Sequence, residues 1–311
     1  MSTQTFWHGK PYYSLNAYCK NTYGEKLSKI ALNAGFTCPN RDGTLDSRGC
    51  IFCSGAGSGD FSMSLTSNQS MAHIIHSYLE QMTCQHPGNR YIGYFQAYTN
   101  TYASVAELEQ KYTAVLDFPQ IAGISIATRP DCLPPEVLQL LKCLKQRYTD
   151  KFIWVELGLQ TIHEETAAFI RRGYPLSCFE EAVAALHPLQ IPVITHVILG
   201  LPDETATMQL QTISYLNTQP IWGIKLQLLH ILKGTDLGLL YEKEPYRYHS
   251  YETLEEYVSM VILCLEHLRP DLVVHRVTGD APKELLLSPM WSLDKRKVLN
   301  TLHHEMKIHE T

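Results

Sequence analysis

Short apolar runs alternate with amphipathic segments along most of this 311-residue chain. Several of the runs are continuously apolar, which is typical of strands buried on both faces. They predict seven strands, at residues 27–36, 91–96, 121–127, 152–158, 193–199, 224–229 and 272–277. Between them, apolar residues recur at three- and four-residue steps and predict helices, most clearly at residues 70–82 and 251–268.

The predicted helices begin at recognisable N-terminal signals. Ser104 followed by Glu107 has the spacing of a capping box, and Pro134-Pro135 suits a first helical turn. Asp203 is a candidate cap for a later helix. Strand–helix alternation of this kind implies parallel strands joined by right-handed crossovers. The pattern therefore predicts an α/β fold, with a barrel or partial barrel as the first architecture and an open doubly wound sheet as the second.

Composition and charge restrict the class of protein. The net charge of −5 excludes a globally basic nucleic-acid-binding surface, and the run Lys295-Arg296-Lys297 is interpreted as a solvated helix face. The nine cysteines are an odd number without the density of a disulfide scaffold, as expected in a reducing cytoplasm. We find no signal peptide and no spanning segment. We expect a cytoplasmic protein without membrane contact. Residues 1–311 form one domain, with a core barrel over about residues 25–280, an N-terminal extension and a C-terminal helical tail.

The most informative stretch, GFTCPNRDGTLDSRGCIFCSGAGSGDF, directly follows the first predicted strand. Cys50 and Cys53 form a C-x-x-C pair, and Cys38 precedes them across a loop. Three thiolates can bind three irons of a [4Fe-4S] cluster and leave the fourth iron open. S-adenosylmethionine (SAM) can bind that iron through its amino and carboxylate groups. Cys38, Cys50 and Cys53 are therefore the predicted metal ligands and catalytic residues.

A structural zinc site with a histidine as fourth ligand is the alternative. The position of the cysteines favours the cluster, because the first strand-to-helix loop lies at the end of a barrel that carries the chemistry. The other six cysteines show no ligand spacing. Among them, Cys132 follows a strand and would face the active end, although a buried bystander thiol is the simpler interpretation.

The chain resembles the radical SAM superfamily, specifically the elongator-like branch called the YhcC/YtqA group. The similar stretches are GEKLSKIALNAGFTCPNRDGT, GCIFCSGAGSGDF, TRPDCLP, VELGLQT and HVILGLPDET, which span nearly the whole chain. The long gap after Cys38 departs from the common C-x-x-x-C-x-x-C but matches the long-loop form of this branch. CSGAGSGDF is more similar to the Gram-positive YtqA subgroup than to the YhcC subgroup.

The resemblance implies a partial (β/α)6 TIM-like barrel with the cluster and SAM at its open top. Members of the superfamily cleave SAM with an electron from the cluster and so generate a 5′-deoxyadenosyl radical. Phe52 would lie near the adenine. Gln160 and Arg172 match positions that contact SAM in the related oxygen-independent coproporphyrinogen oxidases. His196 stands where those relatives often carry an aspartate to the ribose, and Gln96 matches the region that holds the SAM amine.

Further candidates lie at the C-terminal ends of the predicted strands. Thr128, Arg129 and Glu156 complete the set of cofactor-binding candidates, and Gln227 and His230 could reach the substrate.

Each polar candidate also has a structural interpretation. Gln96 and Gln160 could satisfy backbone groups, and Arg172 could cap a helix. His196 could be a satisfied interior histidine, and Glu156 could pair with a barrel lysine such as Lys225.

The resemblance to the YtqA subgroup implies an activity on the wobble uridine of tRNA. The expected reaction removes the carboxymethyl part of a carboxymethylaminomethyl side chain and leaves the aminomethyl form. A cation such as Arg129 would pair with the substrate carboxylate, and residues 295–309 could form a basic patch for the tRNA. The expected partners are tRNA and a reducing electron donor of flavodoxin or ferredoxin type.

Two other hypotheses remain open. The chain could act as a radical SAM enzyme on a small metabolite or peptide, as the acidic net charge allows. It could also be a non-catalytic iron–sulfur or zinc protein that senses redox state or binds a partner.

Overall fold

The computed structural model describes residues 7–57, 59–64, 70–85 and 90–308. Its main sheet is parallel throughout and has the order β2-β1-β3-β4-β5-β6-β7-β9. A short antiparallel pair, β8 and β10, lies apart from it. The strands are β1 (Ser28–Asn33), β2 (Met63–Ser64), β3 (Tyr91–Phe95), β4 (Ile121–Thr128), β5 (Phe152–Gln160), β6 (Val193–Leu199), β7 (Gly223–Leu228), β8 (Ile231–Leu232), β9 (Val273–Arg276) and β10 (Leu286–Ser288).

The sheet curls into a partial barrel, which confirms the predicted α/β architecture. Side chains from strands that are not neighbours meet across its interior: Lys29 of β1 binds Glu156 of β5, and Lys225 of β7 donates to Tyr94 of β3. The edge strands β2 and β9 do not pair with each other, so the barrel stays open. All seven predicted strands are present, with bounds that differ by a few residues at most of their ends.

Helices surround the sheet, most of them on its outer face. They are α1 (Leu15–Tyr23), α2 (Met71–Gln85), α3 (Val105–Leu116), α4 (Pro135–Arg147), α5 (Glu164–Phe169), α6 (Leu176–Leu186), α7 (Ala206–Asn217), α8 (Asp236–Lys243), α9 (Leu254–His267) and α10 (Lys295–Ile308). In the described part of the chain, 3₁₀ turns lie at Pro130–Cys132, His187–Leu189 and Met290–Leu293. Among the described residues, no helix is both long and apolar enough to cross a membrane.

The helix caps follow the sequence signals, with one correction. The Ser104 side chain accepts a hydrogen bond from the backbone of Glu107, and α4 begins at Pro135 as predicted. The prediction of Asp203 as a cap was wrong, because α7 is capped by Thr205, which accepts from Met208 N–H. Asp203 instead has a left-handed φ of 64°, in the turn before the helix.

The largest hydrophobic core lies between the outer face of the sheet and the helices. Its buried residues run from Ile30 of β1 to Met306 of α10. β4 is buried along its whole length, as expected for a strand covered on both faces. This core fixes the positions of the strand ends that carry the site.

Helix α1 closes the N-terminal end of the barrel with an aromatic cluster. The Tyr18 ring centroid lies 4.8 Å from that of Trp222 and 6.2 Å from that of Trp154, in edge-to-face geometry. Trp154 is 1% exposed and stacks on Phe152 at 3.9 Å. Access to the barrel interior is therefore from the C-terminal ends of the strands.

Candidate functional site

The three predicted ligands, Cys38, Cys50 and Cys53, lie in the loop between β1 and β2 and line one cavity of about 180 Å³. Tight turns hold the loop. The Cys38 carbonyl accepts from the N–H groups of Arg41 at 2.7 Å and Asp42 at 3.1 Å, and the Cys50 carbonyl accepts from Cys53 N–H at 3.0 Å. One loop thus brings all three thiols to the open end of the barrel.

Side-chain hydrogen bonds from Asn40 and Arg41 stabilise this loop. Asn40 is 2% exposed, and its amide donates to the Arg171 carbonyl at 2.8 Å and to the Cys50 sulfur at 3.5 Å. Arg41 donates to the carbonyls of Cys53 and Ser54. The Asn40 amide thus places an N–H donor next to sulfur, and the Arg41 guanidinium brings a positive charge to the same loop, as suits an anionic cluster.

The same cavity brings together all of the predicted cofactor-binding residues. Phe52 reaches it from the cysteine loop, and the others from β3, β4, β5 and β6 and from the loops that follow. They are Phe52, Gln96, Thr128, Arg129, Glu156, Gln160, Arg172 and His196. Gln227 also lines this cavity, and His230 lines a neighbouring one. Contacts of these residues with SAM stay predictions.

Gln160 is the clearest candidate for a polar contact with a ligand. It ends β5 with a left-handed φ of 68°, and its buried Oε1 has no hydrogen-bond partner. A Cβ atom at Gly158 would lie 2.9 Å from its Nε2, so the glycine leaves room for this side chain. An unpaired buried acceptor that lines a cavity suits an ammonium or hydroxyl donor.

The two arginines of the cavity are held by the protein. Arg129 forms a bidentate pair with Asp131 at 2.9 and 2.8 Å and lies over the Tyr174 ring. Arg172 is 1% exposed and donates to three backbone carbonyls and to Glu164. Both guanidinium groups therefore stabilise the side of the cavity that they line. Arg129 has few N–H donors left for a substrate carboxylate.

Below the cysteines, a charged layer crosses the interior of the barrel. The fully buried Glu156 carboxylate accepts from Lys29 at 3.0 Å, Ser125 at 2.6 Å and Lys225. Its other partner is His196 Nε2, at 2.7 Å. Burial alone would raise the pKa of Glu156, but Lys225 and Lys29 hold it well below its ordinary value. The pairing of Glu156 with Lys225 is the structural role that the sequence analysis gave as the alternative to cofactor binding.

His196 belongs to this layer as a neutral ring. Burial, together with Lys225, lowers its pKa to about 4. Its Nε2–H then donates to Glu156, and its Nδ1 accepts from the Gln227 amide at 3.1 Å. Both ring nitrogens are thus satisfied by the protein.

Some residues that line the two cavities were not predicted from the sequence. Tyr94 and Arg276 line both cavities, and Lys29 lines the neighbouring one. The signal available for the two cations was a charged residue in a short strand, Lys29 within SKIALN and Arg276 at the end of VVHR. Cys132 is buried, and burial raises the pKa of its thiol to about 12, in agreement with a bystander.

The three cysteines do not form a compact single-ion site. In the described part of the chain, no three His, Cys, Asp or Glu side chains converge as one ion requires. Thiolates that each bind a different iron of a cubane stand farther apart than the ligands of a single ion.

The sequence comparisons agree with this geometry. The family model of the radical SAM superfamily matches residues 44–216, and that of the Radical_SAM C-terminal domain matches residues 221–308. The chain belongs to the radical SAM superfamily. It is 43% identical over 298 residues to the uncharacterized protein YtqA of Bacillus subtilis, which covers 96% of this chain and 90% of that protein.

A second relative supports the same placement, and one solved structure shares the fold. Protein YhcC of Escherichia coli is 36% identical over 269 residues, which are 86% of this chain and 84% of YhcC. The structure of archaeal Methanocaldococcus infernus Elp3 has a TM-score of 0.65 at 14% identity. That alignment covers 91% of this chain and 63% of the Elp3 chain. The sequence relatives confirm the kinship with the YhcC/YtqA group of the elongator-like branch, and the Elp3 structure shows the partial-barrel fold.

As a member of this superfamily, the enzyme uses a [4Fe-4S] cluster and SAM. The described residues fit both groups. Three thiols converge on one cavity, and the orphaned Gln160 oxygen lines the same cavity. The loop donors from Asn40 and Arg41 suit the negative charge of a thiolate-bound cluster.

Proposed function

We propose that this radical SAM enzyme acts on the wobble uridine of tRNA. It converts the carboxymethylaminomethyl side chain to the aminomethyl form. The near-full-length similarity to YtqA supports the proposal, because the resemblance of the cysteine loop and of CSGAGSGDF to that subgroup implies this activity.

The reaction balances as an oxidation. The unit N–CH2–COO⁻ and one water give an amine and glyoxylate, with the release of two electrons and two protons. Reductive cleavage of SAM to 5′-deoxyadenosine and methionine takes up two electrons. Substrate oxidation and SAM cleavage therefore match one to one. The protein has to position the N–CH2 group at the mouth of the cofactor cavity. It also has to keep bulk water away from the site until hydrogen has been removed from that group.

The site offers room for such a substrate. A second cavity of about 400 Å³ adjoins the first and shares Phe52, Cys53, Gln96 and Gln227 with it. Phe61, which is 58% exposed, lies on its wall. An exposed aromatic ring at a cavity suits stacking by an unstacked base.

A basic surface on α10 supports contact with RNA. Arg296, Lys297 and Lys307 are exposed on this helix, and Lys10 lies 3.5 Å from His303. The pKa of Lys10 is lowered by burial and by the charge of Lys307, which places these cations close together. His309, the last residue of the proposed patch, lies outside the described residues.

The proposal also includes a partner protein that supplies electrons to the cluster. Enzymes of this superfamily need a reducing electron donor, and we assign it to the flavodoxin or ferredoxin type, in the cytoplasm. We also retain one domain over residues 1–311, with the barrel at about residues 25–280.

The test is anaerobic turnover of tRNA that carries carboxymethylaminomethyluridine. The reconstituted enzyme, dithionite and SAM are expected to yield aminomethyluridine and 5′-deoxyadenosine in a ratio near one, measured by mass spectrometry of nucleosides. The Cys50→Ala variant is expected to yield neither.

Unchanged tRNA in the presence of SAM cleavage would contradict the tRNA substrate and favour a small metabolite or peptide. Absence of both cluster formation and SAM cleavage would favour the non-catalytic alternative.

A further inference from the structure

The second cavity has a wall rich in positive charge. Lys29 reaches it from β1, Lys225 from β7 and Arg276 from β9. Within the described residues, this wall and its direct partners hold four cations and three carboxylates, a surplus of one positive charge. They are Lys29, Lys225, Arg276 and Lys295, against Glu156, Asp280 and Asp60.

Two of these cations share their carboxylate with a second cation. Glu156 binds Lys225 as well as Lys29, and Asp280 binds Lys295 at 2.7 Å as well as Arg276 at 3.3 Å. Lys29 and Arg276 can therefore turn to an incoming anion without leaving a carboxylate unpaired. The third acid, Asp60, already accepts from the Ser54 hydroxyl at 3.0 and 2.9 Å.

Unpaired polar atoms lie on the same wall. The buried Nε2 of His230 and both ring nitrogens of His275 have no hydrogen-bond partner. A Cβ atom at position 279 would lie 2.7 Å from His230, so Gly279 leaves space for this ring. Buried polar atoms without partners are uncommon and point to a ligand or water that satisfies them.

We infer that this wall is the carboxylate-binding subsite of the enzyme, in which Lys29 and Arg276 hold the carboxylate of the substrate side chain and His230 donates an additional hydrogen bond. The inference rests on the proposed function and deepens it. A carboxylate held there leaves the N–CH2 group between this wall and the cofactor cavity, because the two cavities share Gln96 and Gln227. The subsite selects the substrate over the product, which lacks the carboxylate.

The test compares two anticodon stem–loops of identical sequence, one with carboxymethylaminomethyluridine and one with aminomethyluridine. Both carry the same phosphates, so their ratio of affinities isolates the carboxylate from the RNA backbone. For the reconstituted enzyme with SAM, we expect binding of the first to be tighter by about tenfold or more. Arg276→Gln and Lys29→Met are each expected to reduce the ratio to about twofold, whereas Arg276→Lys keeps part of it.

The matched control is Lys283→Gln, which removes one positive charge from an exposed position outside both cavities. It should shift both affinities equally and leave the ratio unchanged. Iron content and thermal unfolding establish that each variant is folded and loaded.

If Arg276→Gln and Lys29→Met both keep the wild-type ratio of affinities for the two stem–loops, and the wild-type enzyme converts its substrate, the subsite is overturned and the proposed function stands. A wild-type enzyme that binds or converts neither stem–loop overturns the proposed function and the subsite together.

Discussion

At the scale of single residues, the organisation of the site depends on one carboxylate. The fully buried Glu156 is the common partner of Lys29, Lys225 and His196. Removal of one member of a buried ion pair leaves the other charge without compensation, which costs more than removal of both.

Glu156→Gln is therefore expected to lower the free energy of unfolding by about 3–5 kcal/mol. The double variant Glu156→Gln with Lys225→Met should lose less than the sum of the single changes, because the more deeply buried of its two lysine partners is removed together with the carboxylate. Chemical denaturation of the three variants measures this coupling.

The control is Glu244→Gln, whose partner Arg247 lies 3.8 Å away in a pair that is more than half exposed. It should change stability by less than about 0.5 kcal/mol. Equal losses in Glu156→Gln and Glu244→Gln would contradict the role given to the charged layer.

The sequence predicted part of this site for a clear reason. Cys38, Cys50 and Cys53 are close in the chain, so their spacing alone indicates one ligand set. Lys29 and Arg276 are 247 positions apart, and only the curl of the sheet brings them to one wall. A periodic sequence pattern indicates which strand carries a charged residue. It does not indicate which residues of other strands lie next to that residue in the fold.

At the scale of elements, α1 determines how the interior is closed. The sequence predicted only an N-terminal extension here, because a nine-residue helix with four polar residues has a weak apolar stripe. Its stability comes from Tyr18 and from the caps at Ser14 and Gly24. The predicted strands were accurate because burial on both faces produces continuous apolar runs.

Tyr18→Ala is expected to destabilise the protein by about 3 kcal/mol, because its ring packs against both Trp154 and Trp222. Thermal and urea unfolding measure the loss. Tyr246→Ala, at a ring that is 92% exposed, serves as the control and should stay within about 0.5 kcal/mol. A Tyr18 variant as stable as the Tyr246 variant would show that α1 does not seal the barrel.

At the scale of the whole molecule, the barrel interior has three levels. The aromatic cluster closes the N-terminal end, the charged layer around Glu156 lies above it, and the cysteine loop forms the open end. This order follows from the parallel topology, which places every strand end at the same level. The chemistry is thus confined to one mouth, where a cofactor and a substrate can meet without bulk water.

The measurement that tests this account most directly is anaerobic reconstitution followed by iron analysis and electron paramagnetic resonance of the reduced protein. We predict about four irons per chain, a spectrum that changes when SAM is added, and 5′-deoxyadenosine formation. Each of these should be lost in Cys50→Ala. A protein that binds zinc, holds no cluster and does not cleave SAM would contradict the account.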